Sequence, residues 1–201
     1  MYGYTITKRK QFDSTKFLIS LSFILILSCS FLPFVTIYSY QDIFINQGES
    51  WFFGTPNQNY LYFAGALIYF SILIFVFLFY RNRNLMNDKK VRKFPFIILS
   101  LPGFLLMFMT CYHFYYFNDE GIYVSPFSQL HVNHYAWDEV VDATQMQEVR
   151  NGVMYEADLM FTFENGDIFK LPVDSEVRLH KKQIYQKLRK QGIEVRRVIS
   201  Q

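Results

Sequence analysis

Three long runs without a single Asp, Glu, Lys or Arg fill most of the first 117 residues, at 17–40, 50–80 and 94–118. A helix rises about 1.5 Å per residue and a bilayer's hydrocarbon core is about 30 Å thick, so each run is long enough to cross it. The pattern predicts helices over about 17–40, 60–80 and 94–117, and a polar tail, 118–201, that is not built to cross. The overall figures hide this contrast: 51% hydrophobic residues and a mean hydropathy of +0.08 would suit a soluble chain. The apolar residues are instead held in blocks that soluble helices do not sustain.

Charge placement gives an expected orientation. The formal charge of +3 comes from ten Lys and Arg against four Asp and Glu in residues 1–117, and ten against thirteen in 118–201. A pI near 8.7 is therefore no argument for a nucleic-acid partner. The N-terminal stretch 1–16 carries Lys8, Arg9, Lys10 and Lys16, and the connector 81–93 carries Arg81, Arg83, Lys89, Lys90, Arg92 and Lys93. Neither 41–59 nor 118–149 has a Lys or Arg. Positive flanks stay in the cytoplasm. The expectation is a multi-pass protein of the cell membrane with a cytoplasmic N-terminus and an external C-terminal domain. The first run is longer than the roughly 7–15 residue core of a signal peptide and is read as an uncleaved helix.

Within the runs, Pro33 predicts a kink and Pro102-Gly103 a kink or local unwinding, while Ala64, Gly65 and Ala66 would admit a close neighbouring helix. Tyr38, Tyr40, the Trp51-Phe52-Phe53 segment, Tyr60, Tyr62, Tyr112, Tyr115, Tyr116 and Phe117 would gather at one outer interface as an aromatic belt.

Beyond Phe117 the pattern changes to alternation. Val153, Tyr155, Ala157, Leu159, Phe161 and Phe163 face one way, opposite Glu156, Asp158 and Thr162, as in a half-buried strand. Glu164-Asn165-Gly166 suits a tight turn into a partner strand at 168–173, and Asn151-Gly152 offers another. Segments 121–125, 129–135 and 140–149 complete about five strands. A helix follows over about 175–191, capped by Asp174 or Ser175, with Val177, His180, Ile184 and Leu188 as its packing stripe and Gly192 as its stop. Its other face carries Arg178, Lys181, Lys182, Lys187, Arg189 and Lys190, joined beyond the turn by Arg196 and Arg197. Those six helical cations are the candidate contact for an anionic surface or partner.

The segments GIYVSPFSQLHVNHY, Tyr135 to Val140, FTFENGDIFKLP and IYQKLRKQGIEV resemble small bacterial PH-like (YcxB-like) domains that follow transmembrane helices. The resemblance covers roughly 118–197. It implies a bent antiparallel sheet or partly open barrel with a helix against one end, used for assembly or binding and not for catalysis, and makes Trp137 a core or hinge aromatic. The fold class is thus α+β: three transmembrane helices, then a small antiparallel β domain with a C-terminal helix.

Chemistry-bearing residues are scattered. His131 and His134 would point to opposite faces of one strand, and His113 has no second ligand nearby. Cys29 and Cys111 lie in apolar runs without a neighbouring base. Asp138, Glu139 and Asp142 do not converge at that spacing. No phosphate-binding glycine loop, zinc-protease motif or glycine-flanked serine occurs. No catalytic residue, metal or cofactor is assigned, and the chain is not read as an enzyme. The expected role is a membrane-anchored interaction or regulatory protein whose C-terminal domain docks a membrane or envelope protein, with a homo-oligomer compatible. The alternative is an accessory or immunity subunit of a membrane transport system, acting through its transmembrane helices.

Overall fold

The computed structural model describes residues 14–46, 48, 50–127, 129, 131–150 and 152–200. Lys8, Arg9 and Lys10, like Asn151 of an expected turn, lie outside the described residues. The described chain is α+β, with five α-helices and two four-stranded sheets. It divides into two compact units, one of helices ending at Tyr40 and resuming over Asn57–Cys111, the other combining Gln41–Pro56 with the chain from Tyr112 onward.

The helical unit draws on α1 (Ser14–Ser28), α2 (Leu32–Phe44), α3 (Asn57–Met86) and α4 (Phe94–Tyr112). α3 and α4 are each long and apolar enough to cross a membrane; α1 and α2 qualify only together, as a pair bent by 72°, which gives two to three spans. The single helix expected over 17–40 is therefore broken. Its last turn tightens, with Cys29 N donating to Ile26 O and Phe31 N to Ser28 O, and Ser30 Oγ caps Leu27 O at 3.0 Å. Pro33, which has no N–H to give, then sits in the first turn of α2, where none is needed. By contrast, α4 runs without interruption through Pro102-Gly103, so the expected unwinding does not occur.

Polar atoms in this unit pair across helices. Ser22 Oγ and Ser71 Oγ, both fully buried, lie 2.6 Å apart between α1 and α3. Asn59 Nδ2 donates to Thr110 O at 3.0 Å between α3 and α4. Ile37, Phe63, Leu67 and Cys111 form a buried apolar cluster in the same unit. A side chain at Gly103 would put its Cβ 2.7 Å from Phe70 Cζ, so the glycine fits the close approach of α3. Outward, Leu61, Ile72, Phe79, Ile97, Leu101 and Phe104 stay exposed. Apolar outside with paired polar atoms inside is the arrangement lipid demands.

The second unit begins with β1 (Phe52–Gly54) and β2 (Phe114–Phe117), then β3 (Gly121–Ser125), β4 (Asn133–Ala136), β5 (Val140–Arg150), β6 (Val153–Phe163), β7 (Ile168–Pro172), α5 (Ser175–Lys190) and β8 (Arg196–Ser200). One sheet has the order β1-β2-β3-β4 and the other β7-β6-β5-β8. Three expectations change here. The third apolar run stops being helix at Tyr112, and Phe114–Phe117 is a strand. Phe52 and Phe53 belong to a strand pairing with it, and Trp51 N just before them donates to Phe117 O, so Phe52, Tyr115 and Phe117 are core residues and not an interfacial belt. The pairing is also not wholly antiparallel, because β8, unforeseen in the sequence, runs parallel to β5.

Both sheets and α5 share one core, in which Phe52, Phe117, Ile122, Trp137, Phe161 and Ile184 are buried. Trp137 is held in a short 3-10 turn, its Nε1 donating to Asn118 O at 3.0 Å. Asn118 also organises the β2–β3 turn, its Oδ1 accepting from Glu120 N and Gly121 N, each at 2.9 Å. Gly166 turns the chain between β6 and β7 with φ +85, a conformation that costs a residue with a Cβ. The alternating face of β6 is covered only from Leu159 (1% exposed) onward; Val153 (52%) and Tyr155 (47%) lie out on the hairpin end.

Candidate functional site

The candidate cations all lie on α5, whose capping follows from its sequence. Asp174 accepts from Val177 N at 2.9 Å through Oδ1, satisfying one free N–H of the first turn. Gln191 N and Gly192 N donate back to the last turn, and Gly192 takes φ +77. Val177, Ile184 and Leu188 are buried against the sheets, while His180, the fourth stripe residue, is half-buried against Phe52 and Trp51 with ring centroids 5.3 and 6.3 Å away. Trp51 stacks in turn on Trp137 at 6.3 Å, and its buried Nε1 has no hydrogen-bond partner among the described residues.

The structure separates the six cations into two groups. Lys181 forms an ion pair with Glu156 of β6 and lies over the Tyr185 ring, 5.3 Å from its centroid. Lys187 donates to Asp119 Oδ1 at 2.8 Å, joining the helix to the β2–β3 turn. That hydrogen bond, with the Lys187 charge behind it, lowers the Asp119 pKa from its ordinary value. These two lysines attach α5 to its own unit. Arg178, Lys182, Arg189 and Lys190 are exposed. Arg178, Lys182 and Arg189 stand at i, i+4 and i+11, so one stripe of the helix carries all three.

An apolar residue interrupts the basic face. Leu179 is 79% exposed beside Lys182, Gln183 and Gln186, which with Lys187, Lys190 and Asp119 line a shallow concavity. Its signal in the sequence is phase: it lies one to two residues off the Val177, Ile184, Leu188 stripe. Arg196 and Arg197, grouped in the sequence with the helical cations, are strand residues. Arg196 grips Asp142 with Nε to Oδ1 at 3.1 Å and Nη2 to Oδ2 at 2.6 Å, which lowers the Asp142 pKa and raises that of Arg196. Asp138, Glu139 and Asp142 are thereby dispersed: Glu139 accepts from Ala136 N and Asp142 from Arg196.

Among the described residues no three His, Cys, Asp or Glu side chains come together as a metal site. His134 stacks on Tyr123 at 4.3 Å, and His113 meets the edge of Phe127 at 5.6 Å. Compared with known proteins, the chain matches no family model, no curated protein and no solved structure.

Proposed function

We propose that the chain is a membrane-anchored interaction or regulatory protein, whose strand-rich unit docks an acidic surface of a membrane or envelope protein through the outer face of α5. One observation carries this reading: Arg178, Lys182, Arg189 and Lys190 are exposed around an exposed Leu179, on a helix already fixed to its unit by Lys181 and Lys187. Cations supply the long-range attraction and the leucine a desolvated contact. In cells, a photo-crosslinker at Gln186 should yield discrete adducts that disappear in Arg178→Glu/Lys182→Glu/Arg189→Glu. Adducts unchanged by that triple reversal would remove α5 from the docking surface.

We read the same unit as PH-like. Its succession of strands β3 to β7 followed by α5 supports this, and β1, β2 and β8 are additions to the expected pattern. We also place this unit outside the cell and the N-terminus inside. The uncharged or acidic flanks 41–59 and 118–149 support that side. The β1–β2 pairing further supports an even number of crossings between them, since paired strands lie on one side of a membrane.

The alternative, action through the helices as an accessory or immunity subunit of a transport system, draws on Gly65. Among the described residues nothing outside its own helical turn lies within 4 Å of the position its Cβ would take, and Leu61, Ile68 and Ile72 of the same α3 face are exposed. A partner helix could approach closely there.

A further inference from the structure

In the helical unit, α1 and α3 leave a groove of about 590 Å³ between them. Its walls are apolar: Ile19 from α1, and Phe75, Leu78, Phe79 and Leu85 from α3. The α3 residues follow i, i+3, i+4 and i+10, one helical face, and span about 15 Å along the axis. Phe75 also meets Phe23 of α1 edge to face, with ring centroids 6.1 Å apart.

The chemistry changes along the groove. Thr15, Arg81 and Asn82 complete its lining, and Arg81 Nη1 donates to Thr15 Oγ1 at 3.3 Å. That bond uses one of the five N–H donors of a guanidinium. Arg81 also opens the cationic connector that continues through Arg83, Lys89, Lys90, Arg92 and Lys93. An apolar slot that meets a hydrogen-bonded guanidinium where a membrane-crossing helix leaves its apolar stretch, with Leu85 alone one turn beyond it, matches the polarity of a lipid molecule from acyl chain to headgroup. Basic pockets between transmembrane helices hold anionic headgroups in this way.

We propose that this groove binds an anionic phospholipid, with an acyl chain along Ile19, Phe75, Leu78 and Phe79 and its phosphate at Arg81. The site is separate from α5 and stands whether or not α5 docks a partner. A guanidinium accepts a phosphate through paired, charge-assisted hydrogen bonds, whereas a zwitterionic headgroup offsets the same attraction with its own cation.

Native mass spectrometry of the full chain, delipidated in detergent, tests the assignment. Phosphatidylglycerol, phosphatidylcholine and inorganic phosphate are titrated separately against wild type, Arg81→Gln, Arg81→Lys, Thr15→Val and Leu78→Trp. The expected pattern is preferential retention of one phosphatidylglycerol, weakened about ten-fold in Arg81→Gln to the phosphatidylcholine level and partly restored in Arg81→Lys. Leu78→Trp, which fills the groove, should weaken both lipids. Thr15→Val removes the bond to Arg81 but keeps the cation, so its retention of phosphatidylglycerol separates lipid binding from helix packing. Equal binding by wild type and Arg81→Gln would overturn the proposal, as would loss in Thr15→Val matching that in Arg81→Gln. Competition by inorganic phosphate as strong as by the lipid would overturn it too, because the acyl chain would then contribute nothing.

Discussion

Phe52 and Phe117 are register partners in β1 and β2, their ring centroids 5.0 Å apart, although the whole of α3 and α4 separates them in the chain. On the topology proposed above, the apolar excursion between them returns to the side it left. Impermeant maleimide should therefore label Asp42→Cys and Glu164→Cys identically in intact cells, and Asn87→Cys only after permeabilisation. Opposite labelling of the first two would break the even crossing number; labelling of Asn87→Cys alone would invert the proposed orientation.

The same pair makes the first connector part of the strand-rich core. Phe52→Ala should destabilise that unit by about 3 kcal/mol, the ordinary cost of emptying a buried phenylalanine. Both tryptophans of the chain, Trp51 and Trp137, lie in the unit and stack on each other. Their fluorescence during denaturant unfolding reads the loss directly.

What the sequence revealed, and what it concealed, follows from the distance over which each signal acts. Strand β6, its turn at Gly166 and helix α5 with its Asp174 cap are written in residues a few positions apart. β1 and β2 are not, because a Phe- and Tyr-rich strand beside an apolar helix has the composition of an interfacial belt. Only the partner across α3 and α4 distinguishes the two. β8 was hidden for the same reason: Arg196 looks like one more surface cation until Asp142 stands opposite it. On α5 the six cations were legible as a group, while the division into attached Lys181 and Lys187 and exposed Arg178, Lys182, Arg189 and Lys190 required Glu156 and Asp119 in place.

Two glycines in the helices should behave oppositely. Gly103→Leu drives a side chain into Phe70 and should lower stability by about 1–3 kcal/mol, the usual range for overpacking. Gly65→Leu enters open space, so the isolated protein should melt as wild type does. Thermal unfolding in detergent compares them. If Gly65→Leu also abolished association with a membrane partner, the helix-mediated reading would gain over docking through α5.

The Asp142–Arg196 grip fixes β8 to β5 and should be sensitive to acid. Arg196 holds the Asp142 pKa below the aspartate value of 3.8. A carboxyl with a depressed folded-state pKa stabilises the fold fully above its unfolded pKa and loses that contribution as pH falls through the folded one. At neutral pH, Asp142→Asn should therefore cost a modest amount, under about 1 kcal/mol for so exposed a pair. The difference from wild type should shrink to nothing as the pH drops well below 3.8. A gap that stays constant with pH would mean that shape, and not charge, holds the strand.

Leu179 offers the sharpest separation of folding from docking. At 79% exposure it contributes little to the core, so Leu179→Asp should change stability by less than about 0.5 kcal/mol. The same substitution places a carboxylate amid Lys182 and Lys190 and removes the one apolar group on that face. A partner with an acidic surface would meet repulsion where it had met attraction, and crosslinking from Gln186 should fall several-fold. Lys187→Ala should behave in reverse, loosening the contact with Asp119 while leaving the exposed stripe of Arg178, Lys182 and Arg189 able to dock. Stability measured by tryptophan fluorescence and adduct yield measured in cells should thus move independently in the two variants. Joint loss of both signals in Leu179→Asp would return that leucine to a structural role and leave the cations alone to account for docking.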